Sequence, residues 1–310
     1  MGMVDRMEGY DREIREEGVI DRYRRIVTAE QQSIWPDEAG VACQGVAGAY
    51  SQLAAEALFK NPQLTFFSEF ESVFEAIVQG RCTYGVLPIE NSTAGSVNQI
   101  YDLMRRFRCF IVRSHRLRIR HQLLAKPGTK PENISAVYSH EQAVRQCSHL
   151  LKRLAVPIHI VANTAIAAEL VANSTEEGAA ALASAACCSL YELEPVLEDV
   201  QDQANNFTRF ICISKEPMIY RGADRSSLMV ELQHQSGSLY RFLKLLYEHR
   251  CNLVKLESRP IPEREFEFLF YFDFESMVGE PLAELLEKIA GECHSYVYLG
   301  SYEETKGATE

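Results

Sequence analysis

From residue 41 onward, short apolar runs alternate with stretches whose apolar positions recur every three to four residues, the pattern of an α/β unit with parallel strands. Five strand-to-helix junctions follow from this pattern. Residues 41–43 predict a strand and 45–48 a tight turn, and Tyr50 and Ser51 open a helix through Leu53, Ala54, Ala57 and Leu58. Residues 84–89 predict a second strand, which runs into Glu90, Asn91, Ser92, Thr93, Ala94, Gly95 and Ser96 before a helix carrying Val97, Ile100, Tyr101, Leu103 and Met104. Residues 136–138 repeat the unit, with Ser139 and His140 ahead of a helix through Ala143, Val144, Cys147, Leu150 and Leu151. So do residues 158–162, with Asn163 and Thr164 ahead of an alanine-rich helix, and, more weakly, 178–190 around Ser184. A single Ser, Thr or Asn at such a place is usually a helix cap. Four strand ends that present uncharged donors beside helix N-termini would instead line the carboxyl edge of an open sheet and suit a small anion with several oxygens.

The flanking segments have other patterns. Residues 1–39 are charged, poor in large apolar groups and closed by Trp35-Pro36, and read as a helical arm or linker outside the core. Residues 105–122 hold seven arginines, and 116–120 alternate with strand period, which reads as a strand with a solvated basic face or as local steering of an anion. In 202–214, Asn206, Thr208 and Arg209 stand just before the strand 210–213 and would project at a sheet edge, Arg209 offering a bidentate clamp for a carboxylate. After a polar break at 221–226, strands at 227–233, 252–257, 265–275 and 294–299 and helices from Gly237 and over 281–289 give the order βαββαβ, which is ferredoxin-like. That order hosts many functions and identifies none.

Composition narrows the classes. The 310 residues, 46% of them apolar, have ample material for buried cores, and the net charge of −11, from 43 acidic against 32 basic side chains, works against non-specific contact with nucleic acid or anionic membrane. Nine scattered cysteines form no CxxC pair and no zinc spacing, and read as reduced core thiols of a cytoplasmic protein. The mixed charges of Asp5, Arg6, Glu8, Asp11, Arg12 and Glu13 are unlike a secretory signal, and no apolar run is long enough to span a membrane. The phosphate loop, GxSxG elbow and HExxH are absent, and only a GxxG turn stands in place of the dinucleotide fingerprint. Nucleotide, metal and serine-hydrolase chemistry all weaken accordingly.

Five strings in order, QGVAGAYS (44–51), YGVLPIENSTAGSVNQIYDL (84–103), VYSHEQAVRQC (137–147), NTA (163–165) and NNFTRF (205–210), resemble prephenate dehydratase. GSLY (237–240) and ESRP (257–260) resemble its phenylalanine-sensing ACT domain, so that the likeness covers about residues 41–302. Three departures stand out. Glu141 replaces the usual proline, Ser238 the usual alanine, and 39 leading residues are too few for the chorismate mutase domain of some members, so no mutase activity is expected.

The resemblance implies two lobes like those of type II periplasmic binding proteins, lobe one from 41–116 and 193–215 and lobe two from 117–192, within a catalytic domain at 40–216, followed by an ACT domain at 226–303. It implies conversion of prephenate to phenylpyruvate, carbon dioxide and water in the cleft, without a cofactor or metal. Thr208 becomes the candidate donor to the departing hydroxyl, with Glu90 and His140 as other proton sources, although Glu90 could equally cap a helix and His140 equally bond backbone at a helix start. Arg209 takes the substrate carboxylate, and Asn91, Ser92, Thr93, Ser139, Asn163, Thr164, Asn206 and Phe210 supply the lining. For the ACT domain it implies feedback regulation by phenylalanine at Gly237, Ser238, Leu239, Asn252, Leu253, Glu257, Ser258 and Arg259, in a homodimer or homotetramer. Arogenate dehydratase is the alternative inside the family. Outside it stand a non-catalytic two-lobed anion-binding module and, resting on the GxxG turn alone, a dinucleotide-dependent oxidoreductase.

Overall fold

The computed structural model of the protein describes residues 17–29, 34–261 and 268–307, and its first helix is α1 (Glu17–Thr28). By packing, the chain falls into two compact units. One joins the described residues up to Trp35 with Met104–Ser114 and Ile213–Glu304; the other holds Pro36–Leu103, His115–Cys212 and the residues from Thr305.

Val41, Ala42 and Cys43, all fully buried, centre β1 (Glu38–Gln44), which pairs in parallel with both β2 (Asn61–Phe67) and β3 (Tyr84–Asn91). The helices α2 (Tyr50–Leu58) and α3 (Phe70–Val78) follow β1 and β2 and bury Ala54, Ala55 and Leu58, and Val73, Phe74 and Ile77. The third strand does not lead straight into a helix. Its last residues Glu90 and Asn91 pair antiparallel with β4 (Gly95–Ser96), Gly95 turning at φ +81°, and only then does α4 (Asn98–Phe107) begin. The uncharged residues of that junction therefore build a turn rather than a helix cap. In the arginine-rich stretch, β5 (Phe110–Arg118) ends before Arg120, and Arg120 faces Asp199 at 3.6 Å.

A second sheet is built from β6 (Gln122–Ala125), β7 (Ala136–Ser139), β8 (Ile158–Ile160), β9 (Ala179–Ala183) and β10 (Glu194–Leu197), in the order β10-β6-β9-β7-β8. The expectation of parallel strands holds for β7 against β8 and β9, while β6 runs antiparallel to β9 and to β10. Because β10 stays in this sheet, with Leu193 buried among the alanines of its core, the return expected near residue 193 comes only at β11 (Phe207–Ser214). The helix expected after Ser139 is broken at Cys147 into α5 (Glu141–Gln146) and α6 (Ser148–Leu154). The Asp202 carboxylate causes the break by accepting from the Ser148 amide at 2.9 Å, the Ser148 hydroxyl at 2.7 Å and the His149 amide at 3.0 Å, which gives α6 its own N-cap. Small side chains along β9, buried throughout, accommodate α7 (Thr164–Asn173), and α8 (Ala186–Tyr191) follows.

Beyond residue 224 come β12 (Arg225–Glu231), α9 (Ser238–Glu248), β13 (Asn252–Pro260), β14 (Phe268–Glu275), α10 (Glu280–Glu292) and β15 (Ser295–Tyr302). The sheet order β13-β14-β12-β15, with every pairing antiparallel, is the ferredoxin-like arrangement that the sequence pattern predicts. The first residues of the strand expected from 265 lie outside the described residues. Alternation along β12 sends Leu228 and Val230 into a core with Phe242, Phe272, Phe274, Leu286 and Ile289. The same core takes Tyr23 and Val27 of α1, with Val27 fully buried, and Arg24 pairs with Glu280 at 2.7 Å and with Glu287. The exclusion of residues 1–39 from the core is thus corrected for α1. Its apolar positions, Val19, Ile20, Tyr23, Ile26 and Val27, are hidden in sequence by the charges around them. A last strand, β16 (Glu304–Lys306), completes the larger sheet, whose order is β16-β5-β11-β3-β1-β2 with β4 beside β3.

Candidate active site

The ends of β3 and β11, neighbours in the larger sheet, bring Glu90 and Asn91 beside Asn206, Thr208 and Arg209. Asn91 organises the group. Its Oδ1 accepts from the Thr93 amide at 3.0 Å, the Ala94 amide at 2.9 Å and the Thr93 hydroxyl at 2.7 Å, so backbone donors fix which end of the amide carries nitrogen. Its Nδ2 therefore donates towards Asn206 Oδ1 at 2.9 Å, the Phe207 carbonyl at 3.1 Å and Thr208 Oγ1 at 2.9 Å. Thr208 is a receiver in this bond, and among the described residues its own hydrogen goes to no acceptor. Asn206 is 1% exposed, and its Nδ2 likewise has no partner among the described residues.

Ser92 serves as a staple. It receives the Phe207 amide at 2.9 Å, gives its hydroxyl hydrogen to the Asn205 carbonyl at 3.0 Å and sends its own amide to the Phe207 carbonyl at 2.8 Å, which pins the loop leading into β11. Arg209, 3% exposed, faces Glu90 at 3.4 Å, an ion pair at the sheet end that neutralises the guanidinium.

Across from these residues stands α5. His140 is its N-cap, with Nδ1 accepting from the Gln142 amide at 3.2 Å, so the ring hydrogen sits on Nε2. Burial holds the His140 imidazole below its ordinary range, against the opposing pull of Glu141. At the other end of α5, Gln146 Nε2 donates to Thr93 Oγ1 at 2.8 Å, and its Oε1 lies 3.0 Å from His121 Nε2. The remaining nitrogen of His121 lies 3.1 Å from the Tyr50 hydroxyl, which is 2.7 Å from the Arg120 carbonyl.

A cavity of about 540 Å³ opens between these groups, lined among others by Thr93, His140, Arg145, Gln146, Asp202 and Asn206. Of the residues expected from sequence, Asn91, Thr93, His140, Asn206 and Thr208 thus meet at or just behind one cavity wall. Four do not. Ser139 is fully buried and donates to the Leu182 carbonyl at 2.8 Å; Asn163 caps α7 through the Ile166 amide at 2.8 Å; Thr164 is the first residue of that helix; and Phe210, 2% exposed, lies in the core. Strand ends followed by caps identified the edge, but most such residues there serve the helix they start. Sequence reading missed Tyr50, His121 and Gln146. Gln146 stood inside one of the quoted strings, while His121 was hidden in the arginine-rich stretch. Among the described residues no group of three or more His, Cys, Asp or Glu could hold a metal ion.

In the ferredoxin-like part, Gly237 takes φ +84° as N-cap of α9, and Ser238, buried, accepts from Arg241 at 3.1 Å. Leu239 packs against the core, as does Leu253. Asn252 donates to Glu275 at 2.9 Å, and Glu257, Ser258 and Arg259 continue along the edge strand β13.

The fold has close counterparts among solved structures. One, described as a novel type of quorum quenching acylase and named GqqA, matches with a TM-score of 0.78 at 29% identity over 86% of this chain and 98% of that one. Another, prephenate dehydratase from Arthrobacter aurescens in complex with L-Phe, matches with a TM-score of 0.76 at 22% identity over 85% and 89%. The architecture is therefore the α/β fold of the prephenate dehydratases, with a two-lobed domain like that of the periplasmic binding proteins. The sequence profile of the prephenate dehydratase family matches residues 41–218, and the chain belongs to that family, among the decarboxylating dehydratase lyases. A relative from Arabidopsis thaliana, arogenate dehydratase/prephenate dehydratase 2, is 37% identical over 84% of this chain and 72% of its own length. Arogenate dehydratase 2 of Petunia hybrida is 37% identical over 79% of this chain, which spans 66% of that relative. The bifunctional chorismate mutase/prephenate dehydratase of Pseudomonas aeruginosa is 33% identical over 84% and 72%.

Proposed function

We propose that the protein converts prephenate to phenylpyruvate and that phenylalanine regulates it at an ACT domain formed by β12 to β15. The ring carboxylate leaves as carbon dioxide, its electron pair enters the ring, and the opposite hydroxyl leaves with a proton as water. Aromatisation drives the reaction, so the protein needs only to orient the substrate and assist the hydroxyl. The observation that carries the reading is Thr208, held by Asn91 at 2.9 Å as an acceptor and left with its own hydrogen to give. That hydrogen bonds the departing oxygen, and His140 Nε2–H and the free amide hydrogens of Asn206 face the substrate's oxygens. Arg209, neutralised by Glu90, supplies a weaker claim on the carboxylate than its type suggests. In this reading the enzyme is cytosolic, with nine free thiols of which seven are buried, and pairs through its ACT domains as a homodimer or homotetramer.

One observation favours arogenate as an alternative substrate. Asp202 lines the cavity; burial pushes its carboxyl up, but bonds from the Ser148 hydroxyl and the His149 and Ser148 amides outweigh it and hold the group below its ordinary value. A carboxylate there suits the ammonium of arogenate better than the ketone of prephenate. An acylase would need a nucleophile facing a base, whereas Thr208 faces the NH2 group of Asn91.

The test is the absorbance of phenylpyruvate formed from prephenate by purified protein, with a parallel arogenate assay and each repeated with phenylalanine. Prephenate turnover that responds to phenylalanine supports the whole reading, arogenate turnover alone changes the substrate, and silence on both overturns it.

A further inference from the structure

Between Tyr50 and Thr208 runs an unbroken series of polar contacts through His121, Gln146, Thr93 and Asn91. Its direction can be worked out from the fixed end. Backbone amides of Thr93 and Ala94 determine that Asn91 Oδ1 accepts, so the Thr93 hydroxyl gives its hydrogen to Asn91 at 2.7 Å and offers only lone pairs to Gln146. Gln146 must therefore present Nε2 to Thr93, and its Oε1 must face His121, where only an N–H can satisfy it. The Gln146 amide is thus held from both ends, Nε2 by Thr93 and, at 3.5 Å, by Asn91 Oδ1, and Oε1 by His121. A flipped amide would set its carbonyl against the Thr93 lone pairs and turn an acceptor towards the cavity.

We propose that His121 is a positioning residue of this site: by donating Nε2–H to Gln146 Oε1 it locks, from the end opposite Thr93, the orientation in which Gln146 shows its NH2 group, and not its carbonyl, to Thr93 and the cavity. The proposal deepens the dehydratase reading and rests on it for its kinetic part. The donors that Gln146, Asn206 and Arg145 bring to the cavity fit a substrate with carboxylates, and a reversed Gln146 amide would place an oxygen against them. His121 suits the task because it is 2% exposed and burial, opposed by the bond to Gln146, holds its imidazole below the ordinary range, leaving one hydrogen and one lone pair. The lone pair falls on Nδ1, 3.1 Å from the Tyr50 hydroxyl, whose one hydrogen goes to the Arg120 carbonyl at 2.7 Å, so the tautomer is set from the Gln146 side alone.

The experiment has two arms. Nitrogen-15 shifts of the His121 ring in the full-length protein, assigned by their loss in His121→Gln, are expected to show a neutral ring with hydrogen on Nε2 and a bare Nδ1 at pH 7. A ring with hydrogen on Nδ1, or on both nitrogens, overturns the proposal, and this arm does not depend on knowing the substrate. In the second arm, His121→Leu is expected to lower kcat/KM on whichever of prephenate or arogenate the wild type turns over by about 10- to 100-fold, the scale of a misplaced contact group. Gln146→Leu is expected to cost a similar factor, and the double variant no more than the worse single one, because both remove the same orientation. His121→Gln, which can place a donor where Nε2 stands, is expected to recover most of the loss. Multiplying losses in the double variant, or wild-type kinetics in His121→Leu, would overturn the assignment. Should His121→Leu not fold, the ring shifts and the kinetics of His121→Gln decide. Failure of the wild type on both substrates removes the dehydratase reading and leaves the tautomer result standing on its own.

Discussion

The proposed proton donor Thr208 is a weak acid, and the arrangement around it supports the proposal. A threonine hydroxyl that receives a hydrogen bond from Asn91 is polarised to give its own, and a hydroxyl leaving from a ring on the point of aromatising needs little more. Thr208→Ala is expected to lower kcat by about 100-fold or more with little change in KM, and Thr208→Ser to keep most activity; steady-state kinetics on prephenate checks both. Unchanged kcat in Thr208→Ala would take the hydroxyl out of the chemistry. A second residue-scale expectation concerns acid. His121 and His140 both have ordinary values of 6.5 that burial lowers, the first against the pull of Gln146 and the second against that of Glu141. The unfolded chain takes up these protons as the pH falls through that range while the folded protein resists, so stability present above it declines below it. The denaturant midpoint is expected to fall from pH 7 to 5.5, and to fall less in His121→Gln.

At the scale of elements, what the sequence makes legible depends on how local the cause is. The strand at Tyr84–Asn91 and the helix at Tyr50–Leu58 follow from runs and spacings within themselves. The break between α5 and α6 does not, because the carboxylate that causes it, Asp202, is 54 residues away along the chain. The edge strand β2, partly exposed along its length and containing Pro62, gave too weak a pattern to read, and the antiparallel members of the second sheet depend on connections that periodicity cannot report. The same holds at the site: Asn91 and Thr208 stood in legible strings, while His121 acts only through a partner reached in three dimensions. The GxxG turn has a local cause and a long-range one. Gly48 takes φ +85°, and a Cβ there would lie 2.8 Å from Cys187 Sγ and 3.3 Å from Leu190, while its carbonyl receives the Ser184 hydroxyl at 2.9 Å. Gly48→Ala is expected to cost about 2 to 3 kcal/mol in denaturant unfolding, from backbone strain and overpacking together. For α1, Val27→Ala should cost about 2 kcal/mol through the cavity left in the ferredoxin-like core, where a surface arm would lose nothing.

On the scale of the molecule, the packing units bear on how regulation can be tested. Removing residues 226–310 is a direct way to separate catalysis from phenylalanine sensing, but it would also strip β16 from the larger sheet and delete the core residues that cover Tyr23, Val27 and Phe110. Loss of activity in such a truncation would report damage. A substitution at the proposed effector site is the cleaner probe, and Asn252 suits it: exposed at the start of an edge strand, it touches Glu275 and carries no core weight. Surface changes of this kind usually shift stability by no more than about 0.5 kcal/mol. Removing one polar contact to a bound amino acid costs about 1 to 3 kcal/mol, so Asn252→Ala is expected to raise the phenylalanine concentration giving half effect by about tenfold while basal turnover stays near wild type. Titration of turnover against phenylalanine reads both quantities. A variant as sensitive as the wild type removes Asn252 from the effector site, and a wild type indifferent to phenylalanine removes the regulatory reading while leaving the dehydratase site, whose geometry owes nothing to Asn252, as it stands.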